Sequence, residues 1–385
     1  MLAYNREWLD NILTRNAAAS VLAEGFITKE EAGAVYKNYP VEFYTPNYFI
    51  RLGLFVLTVV IMLFSFGLLI LITLNSIEKM WGGLAIFFSM LCYAALEFMV
   101  RVKKHHCSGV DDALLYGSAF ALFAGISFPH DFGGMENSML AFMIGWYATF
   151  RFADKVMAAV SFVALLGIFF YGAVEMGDAA KSIVPFIIMG VSIAVYILVT
   201  KMETNLKAVH YFECLLLIRV AALFSFYIAG NYFAVRELSN EMFHLNLQPG
   251  QSIPFGWLFW IFTCSVPFAY IARGIQKKDI VLIRTGLLLI AAIVLTIRYY
   301  HSILPVETLM VLGGLALLLS SYALMKFLRK PRHGFTYREI APKNEWEKLH
   351  LESLIIAESF APAAQQDHTQ FGGGSFGGGG ASGEF

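Results

Sequence analysis

About ten apolar segments, each near the ~20 residues that cross ~30 Å of hydrocarbon, follow one another between residues 50 and 327 of this 385-residue chain. They lie near 50–74, 82–100, 112–129, 137–152, 156–175, 182–200, 208–233, 254–272, 280–298 and 306–327. A soluble core cannot absorb so many, because 15% charged residues against 58% hydrophobic ones leave too little polar surface to cover a globule. Hydrocarbon offers no partner to backbone N–H and C=O groups, so segments of this length satisfy them internally as helices. The expected fold is therefore all-α, a polytopic bundle of about ten transmembrane helices in contact with the lipid bilayer. The 112–129 and 137–152 pair is the weakest, being short and joined by the Pro129–Gly134 turn.

Basic residues orient the bundle. With the N-terminus cytoplasmic, the inner turns hold Arg101, Lys103 and Lys104, then Arg151 and Lys155, Lys201 and Lys207, Arg273, Lys277 and Lys278, and finally Lys326, Arg329, Lys330 and Arg332. The outer turns keep only Lys79, Lys181, Arg236 and Arg298. This asymmetry predicts an even number of spans with both termini cytoplasmic. The N-terminus lacks an apolar core followed by a cleavage site, so no signal peptide is expected.

Four regions follow from the pattern. Residues 1–47 read as a cytosolic helical hairpin: Trp8, Leu9, Ile12 and Leu13, then Val21 and Leu22, recur at helical spacing, and Gly25 can close that helix. Thr28-Lys-Glu-Glu31 has the form of a capping box and opens a second helix that ends before Pro40. Too few apolar residues are present for a core of its own, so the hairpin should pack as a lid on the membrane domain, 48–328. Residues 329–361 contain an amphipathic stretch, with Trp346, Leu349, Ser353 and Ile356 at helical steps. Residues 362–385 end in FGGGSFGGGGASGEF, too rich in glycine for regular structure. Phe371, Phe376 and Phe385 punctuate that tether as apolar anchors suited to docking into a protein partner.

Charge inside the spans is scarce. The helix near 207–235 carries both Glu213 and Arg219 among apolar side chains, and groups at such depth face the bundle interior and need partners. Glu213 and Arg284 each lie six residues past a boundary lysine, Lys207 and Lys278, roughly 9 Å into their spans. That shared depth makes them a candidate interhelical ion pair. Arg219 counts to roughly 18 Å, near the midplane, and points about 240° away from Glu213. It needs another partner: a tyrosine hydroxyl, an exposed carbonyl or an anionic ligand. Glu97 is close enough to Arg101 to snorkel to the inner surface. Two readings stand for these charges: pairs that fix helix register, or a polar pathway through Arg219, Glu213 and Arg284.

Other chemistry has little support. His105 and His106 beside Cys107 would hold a metal only with Asp111 and Asp112 brought to them, and the turn reads more simply as a solvated basic loop. Cys92, Cys107, Cys214 and Cys264 lack paired spacing. The chain contains no G-x-S-x-G, H-E-x-x-H or P-loop motif, so no catalytic residue, metal or cofactor is indicated. A net formal charge of zero points away from nucleic acid.

The run LAEGFITKEEAGAVYKNYP, leading into serial spans, resembles the opening of a broad family of uncharacterised bacterial polytopic membrane proteins with a short N-terminal cytosolic helical region. The FGGGSFGGGGASGEF ending is similar to the glycine-rich ends of bacterial membrane-anchored TPM-domain proteins. The first resemblance implies a bacterial inner-membrane location and this fold; the second implies a shared tail-recognising partner or handling route. The expected role is a scaffold or component of an envelope complex. The alternative is a secondary transporter or channel for a small solute, an anion being one candidate, built on Arg219, Glu213 and Arg284, with an intramembrane enzyme third.

Overall fold

A computed structural model describes residues 2–23, 25–73, 77–175, 177, 180–243, 253 and 255–300, with isolated positions between 308 and 326. Helices α1 (Arg6–Ala23) and α2 (Lys29–Asn38) make the N-terminal hairpin. Gly25, at φ +78°, closes α1: its N–H donates to the Leu22 carbonyl at 3.0 Å and that of Phe26 to the Val21 carbonyl at 3.1 Å, the paired bonds of a Schellman end. The capping box is also present. The Glu31 N–H donates to Thr28 Oγ1 at 3.3 Å and the Thr28 N–H returns to Glu31 Oε2 at 2.8 Å. That returned N–H, seconded by the Thr28 hydroxyl, holds the Glu31 carboxyl below its usual range.

The membrane helices are α3 (Tyr48–Ile72), α4 (Ile77–Arg101), α5 (Val110–His130), α6 (Gly134–Phe152), α7 (Lys155–Val174), α8 (Ala180–Glu203), α9 (Phe212–Gly230), α11 (Gly256–Lys277) and α12 (Ile280–Tyr300), with a 3₁₀ turn over Leu206–Tyr211 and the short helix α10 (Tyr232–Phe243) between them. Among the described residues, eight of these are long and apolar enough to cross a membrane, set beside about ten segments expected over the whole chain. The segment near 137–152 does form a helix, α6, but Glu136, Asn137 and Ser138 at one end and Arg151 at the other leave it short of the apolar length of the rest. The segment near 306–327 lies largely outside the described residues, as do the amphipathic stretch and Phe371, Phe376 and Phe385.

Consecutive helices pack as antiparallel pairs, α4 with α5, α6 with α7, α8 with α9 and α11 with α12. The α4–α5 contact is closest at Gly82 and Gly125, where an added Cβ on either would fall 2.7 or 2.9 Å from the other's carbonyl oxygen. Small residues here let backbones touch, which is how helices gain contact in lipid. In contrast, α3 buries none of its residues and leans chiefly on α5.

The hairpin docks on the ends of these helices. The Ala3 N–H donates to the Arg151 carbonyl at 2.8 Å, and the linker after α2 pairs with the α4–α5 turn through Tyr44 N–H to Lys104 O, 2.9 Å, and His106 N–H to Tyr44 O, 3.3 Å. Tyr4, Trp8, Phe43, His106 and Phe152 form an aromatic cluster across that junction. The C-terminal end of α6 is also met from the start of α9: Tyr211 OH donates to the Phe150 carbonyl at 2.7 Å and Cys214 Sγ to that of Ala153 at 3.1 Å, filling positions a helix end leaves empty.

Candidate functional site

The turn between α4 and α5 packs three left-handed residues into six positions: Lys104 at φ 58°, Cys107 at 50° and Gly109 at 89°. Such conformations persist only where surroundings over-determine them, and here the surroundings are polar. His105 Nδ1 lies 2.7 Å from Ser108 Oγ, while the Ser108 N–H and hydroxyl donate to Asp111 Oδ1 at 2.8 and 2.9 Å. The His106 ring stacks on Phe43 with centroids 5.0 Å apart. Cys107 is reached by solvent yet enclosed by the turn; enclosure, then the Asp112 carboxylate, pushes its thiol up to about 12. Among the described residues no three His, Cys, Asp or Glu side chains converge as metal ligands.

Burial lowers the pKa of His106; Asp111 opposes this and Arg51 adds to it. A histidine whose folded pKa is depressed contributes stability that is present above its unfolded value of about 6.5 and lost as pH falls below it. Acidification from about pH 7.5 to about 5.5 should therefore loosen the hairpin, seen as faster amide exchange in α1 and α2. His106→Gln should flatten most of that dependence. Equal acid sensitivity in the variant would place the cause elsewhere.

From this turn a belt of ion pairs runs around one membrane face, each joining a different pair of helices. Arg51 of α3 reaches Asp112 of α5 with Nη2 at 2.7 Å and Nε at 3.1 Å from one oxygen. Glu97 of α4 holds Arg151 of α6 at 2.8 Å as well as Arg101 at 2.6 Å. Glu97 therefore does more than snorkel: it staples two helices, with the Tyr93 hydroxyl donating to it at 2.9 Å. Tyr116 of α5 donates to Asp154 Oδ2 at 3.0 Å while Asp154 Oδ1 caps α7 through the Met157 N–H at 2.7 Å.

Glu213 has an ion-pair partner outside the expected helix: Lys155, 2.8 Å away on the first turn of α7. Its helix α9 packs against α7 and α8 more extensively than against α12, which carries Arg284. Arg284 sits partly buried on α12.

Arg219 has the partners its sequence context concealed. Nη1 lies 2.6 Å from Glu203 Oε2 and Nη2 3.1 Å from Asp279 Oδ1, with the arginine only 5% exposed. Glu203 ends α8. Asp279 precedes α12 and accepts from the Val281 N–H at 3.0 Å. The guanidinium thus sits at the level of the turns rather than at the midplane. A helical side chain leans toward the N-terminus of its helix, and the long arginine stem brings its charge back to the face where α9 starts. Both partners are at span boundaries, and Asp279-Ile280 before an apolar run is a helix-start signal that sequence reading could have used.

Open space lies at both faces: beside the belt, Tyr93, Glu97, Arg101, Tyr147 and Arg151 bound a cavity of about 540 Å³, and two more lie at the opposite face. A cavity of about 330 Å³ lies among α7, α8, α9 and α10, lined by Val163, Phe170, Val184, Ile228, Ala234 and Leu238 among others. A second, of about 650 Å³, is bounded by Tyr227, Asn231, Phe233, Thr296 and Arg298, and shares Ile228 and Ala234 with the first. Asn231 Nδ2 donates to the Tyr227 hydroxyl at 3.1 Å and to Thr296 Oγ1 at 3.2 Å. Compared with known proteins, the chain finds no matching family model, curated protein or solved structure.

Proposed function

We propose that this chain is a rigid multi-pass scaffold of a bacterial inner membrane, crossing it ten times with both termini cytoplasmic, and that its hairpin face and C-terminal tail present contacts to a membrane-complex partner. The observation that carries this reading is the belt: Arg51, Glu97, Arg151, Lys155, Glu213 and Arg219 all bind side chains of other helices. Charges placed along a solute route would be left to meet solvent or cargo. Arg219, buried between two carboxylates, supports register-fixing over the alternative of a transport pathway for an anion.

The test uses intact bacterial membranes. After crosslinking and purification in mild detergent, the full-length chain should run as a complex of defined stoichiometry, and a version ending at Ala364 should lose its partner. Single-chain particles from both would overturn the reading. So would solute flux in proteoliposomes that Arg219→Lys abolishes while the fold persists.

A further inference from the structure

We propose that the paired cavities opposite the hairpin face bind one anionic phospholipid, its acyl chains in the apolar chamber and its phosphate against Arg298. This stands apart from the scaffold reading and draws on different residues. The two cavities share Ile228 and Ala234 in their linings, which sets them side by side, within reach of the two ends of one amphiphile. The smaller is walled almost wholly by hydrocarbon, from Val163 and Phe170 on one side to Leu238 on another.

The larger supplies the polar end. Its asparagine, tyrosine and threonine are engaged with one another. Arg298 is different: its Nη1 is shut off from solvent and, among the described residues, meets no hydrogen-bond acceptor. A guanidinium offers five donors in a planar fork shaped for phosphate oxygens, and no described carboxylate competes for it. Its level suits a headgroup. Eighteen residues separate Ile280, at the hairpin face, from Arg298, or about 27 Å of helix, close to the thickness of the hydrocarbon layer.

Charge and apolar volume together specify the occupant. A free phosphate would fill the guanidinium and leave the chamber empty; a zwitterionic lipid would fill the chamber and bring a cation beside Arg298. Basic pockets between membrane helices recognise anionic headgroups on this principle.

Native mass spectrometry of the detergent-purified full-length protein, with added dioleoyl-phosphatidylglycerol or dioleoyl-phosphatidylcholine, tests the site. Wild type should retain one phosphatidylglycerol at concentrations where phosphatidylcholine is lost. Arg298→Gln should weaken that retention about tenfold or more, and Arg298→Lys should restore part of it. Ala234→Phe fills the chamber and keeps the charge, so it should weaken retention by a comparable factor. Thermal unfolding of each variant in the same detergent checks that the fold persists. Equal retention of both lipids by wild type would overturn the proposal, as would undiminished phosphatidylglycerol binding in a folded Arg298→Gln. Inorganic phosphate displacing the lipid at equal concentration would also overturn it, in favour of a free anion.

Discussion

Arg219→Leu should destabilise the bundle by about 3–5 kcal/mol, the usual cost of removing one partner from a buried ion pair. Leucine fits the apolar surroundings, so lost packing is a minor part of the effect. The larger part comes from Glu203 and Asp279, whose oxygens now sit 2.6 and 3.1 Å from a guanidinium and would lose it. Three helices are affected together, since α8 ends at Glu203, α9 carries Arg219 and Asp279 caps α12. The check is a denaturation midpoint in detergent, read beside the triple variant Arg219→Leu, Glu203→Gln, Asp279→Asn. If the cost is that of uncompensated carboxylates, the triple variant recovers much of the loss. A single variant as stable as wild type would remove Arg219 from any structural role.

A second large effect is expected at Gly109. The residue holds φ +89°, and a Cβ added there would fall 2.2 Å from the Arg51 carbonyl oxygen and 3.0 Å from the Phe55 nitrogen. The left-handed backbone costs an ordinary residue about 1–2 kcal/mol, and overpacking typically adds about 1–3 kcal/mol. Neither contact is the mobile tip of a side chain, so relief requires moving α3 away from α5. Gly109→Ala should therefore lower the unfolding temperature and weaken the Arg51–Asp112 bridge, visible as increased amide exchange in the first turns of α3. Gly83→Ala is the matched control. That position is helical with nothing within 4 Å of the added methyl, and alanine there should be neutral or slightly stabilising.

These positions show what the sequence could and could not convey. Local chemistry was legible. Gly25, the Thr28–Glu31 box and eight of the ten apolar runs depend on neighbours a few residues away, and these appear where their pattern placed them. Depth along a helix was partly legible too, through rise per residue. What the pattern could not convey was which helix stands beside which. Glu213 and Arg284 matched in depth, yet α7 offers Lys155 to Glu213 first. Arg219 counted to the midplane because the count followed its Cα and ignored the reach of its side chain. Its partners, Glu203 and Asp279, were passed over because they lie at span ends, where carboxylates read as solvated. The paired cavities were out of reach of sequence reasoning, since α9, α10 and α12 wall the one at Arg298 and α7, α8, α9 and α10 the other.

The bond from the Ala3 N–H to the Arg151 carbonyl also sets an order of events during synthesis. The hairpin is made before the helices it docks on, since its docking surface includes the end of α6 and, through Asp10 and His210 at 3.3 Å, the turn before α9. At roughly 5–20 residues per second, the interval between making Ala3 and completing Arg151 is on the order of ten seconds. Until Phe152 follows, Tyr4 lacks one of the three rings it meets across that junction, so the hairpin waits partly undocked while α3 to α6 are made.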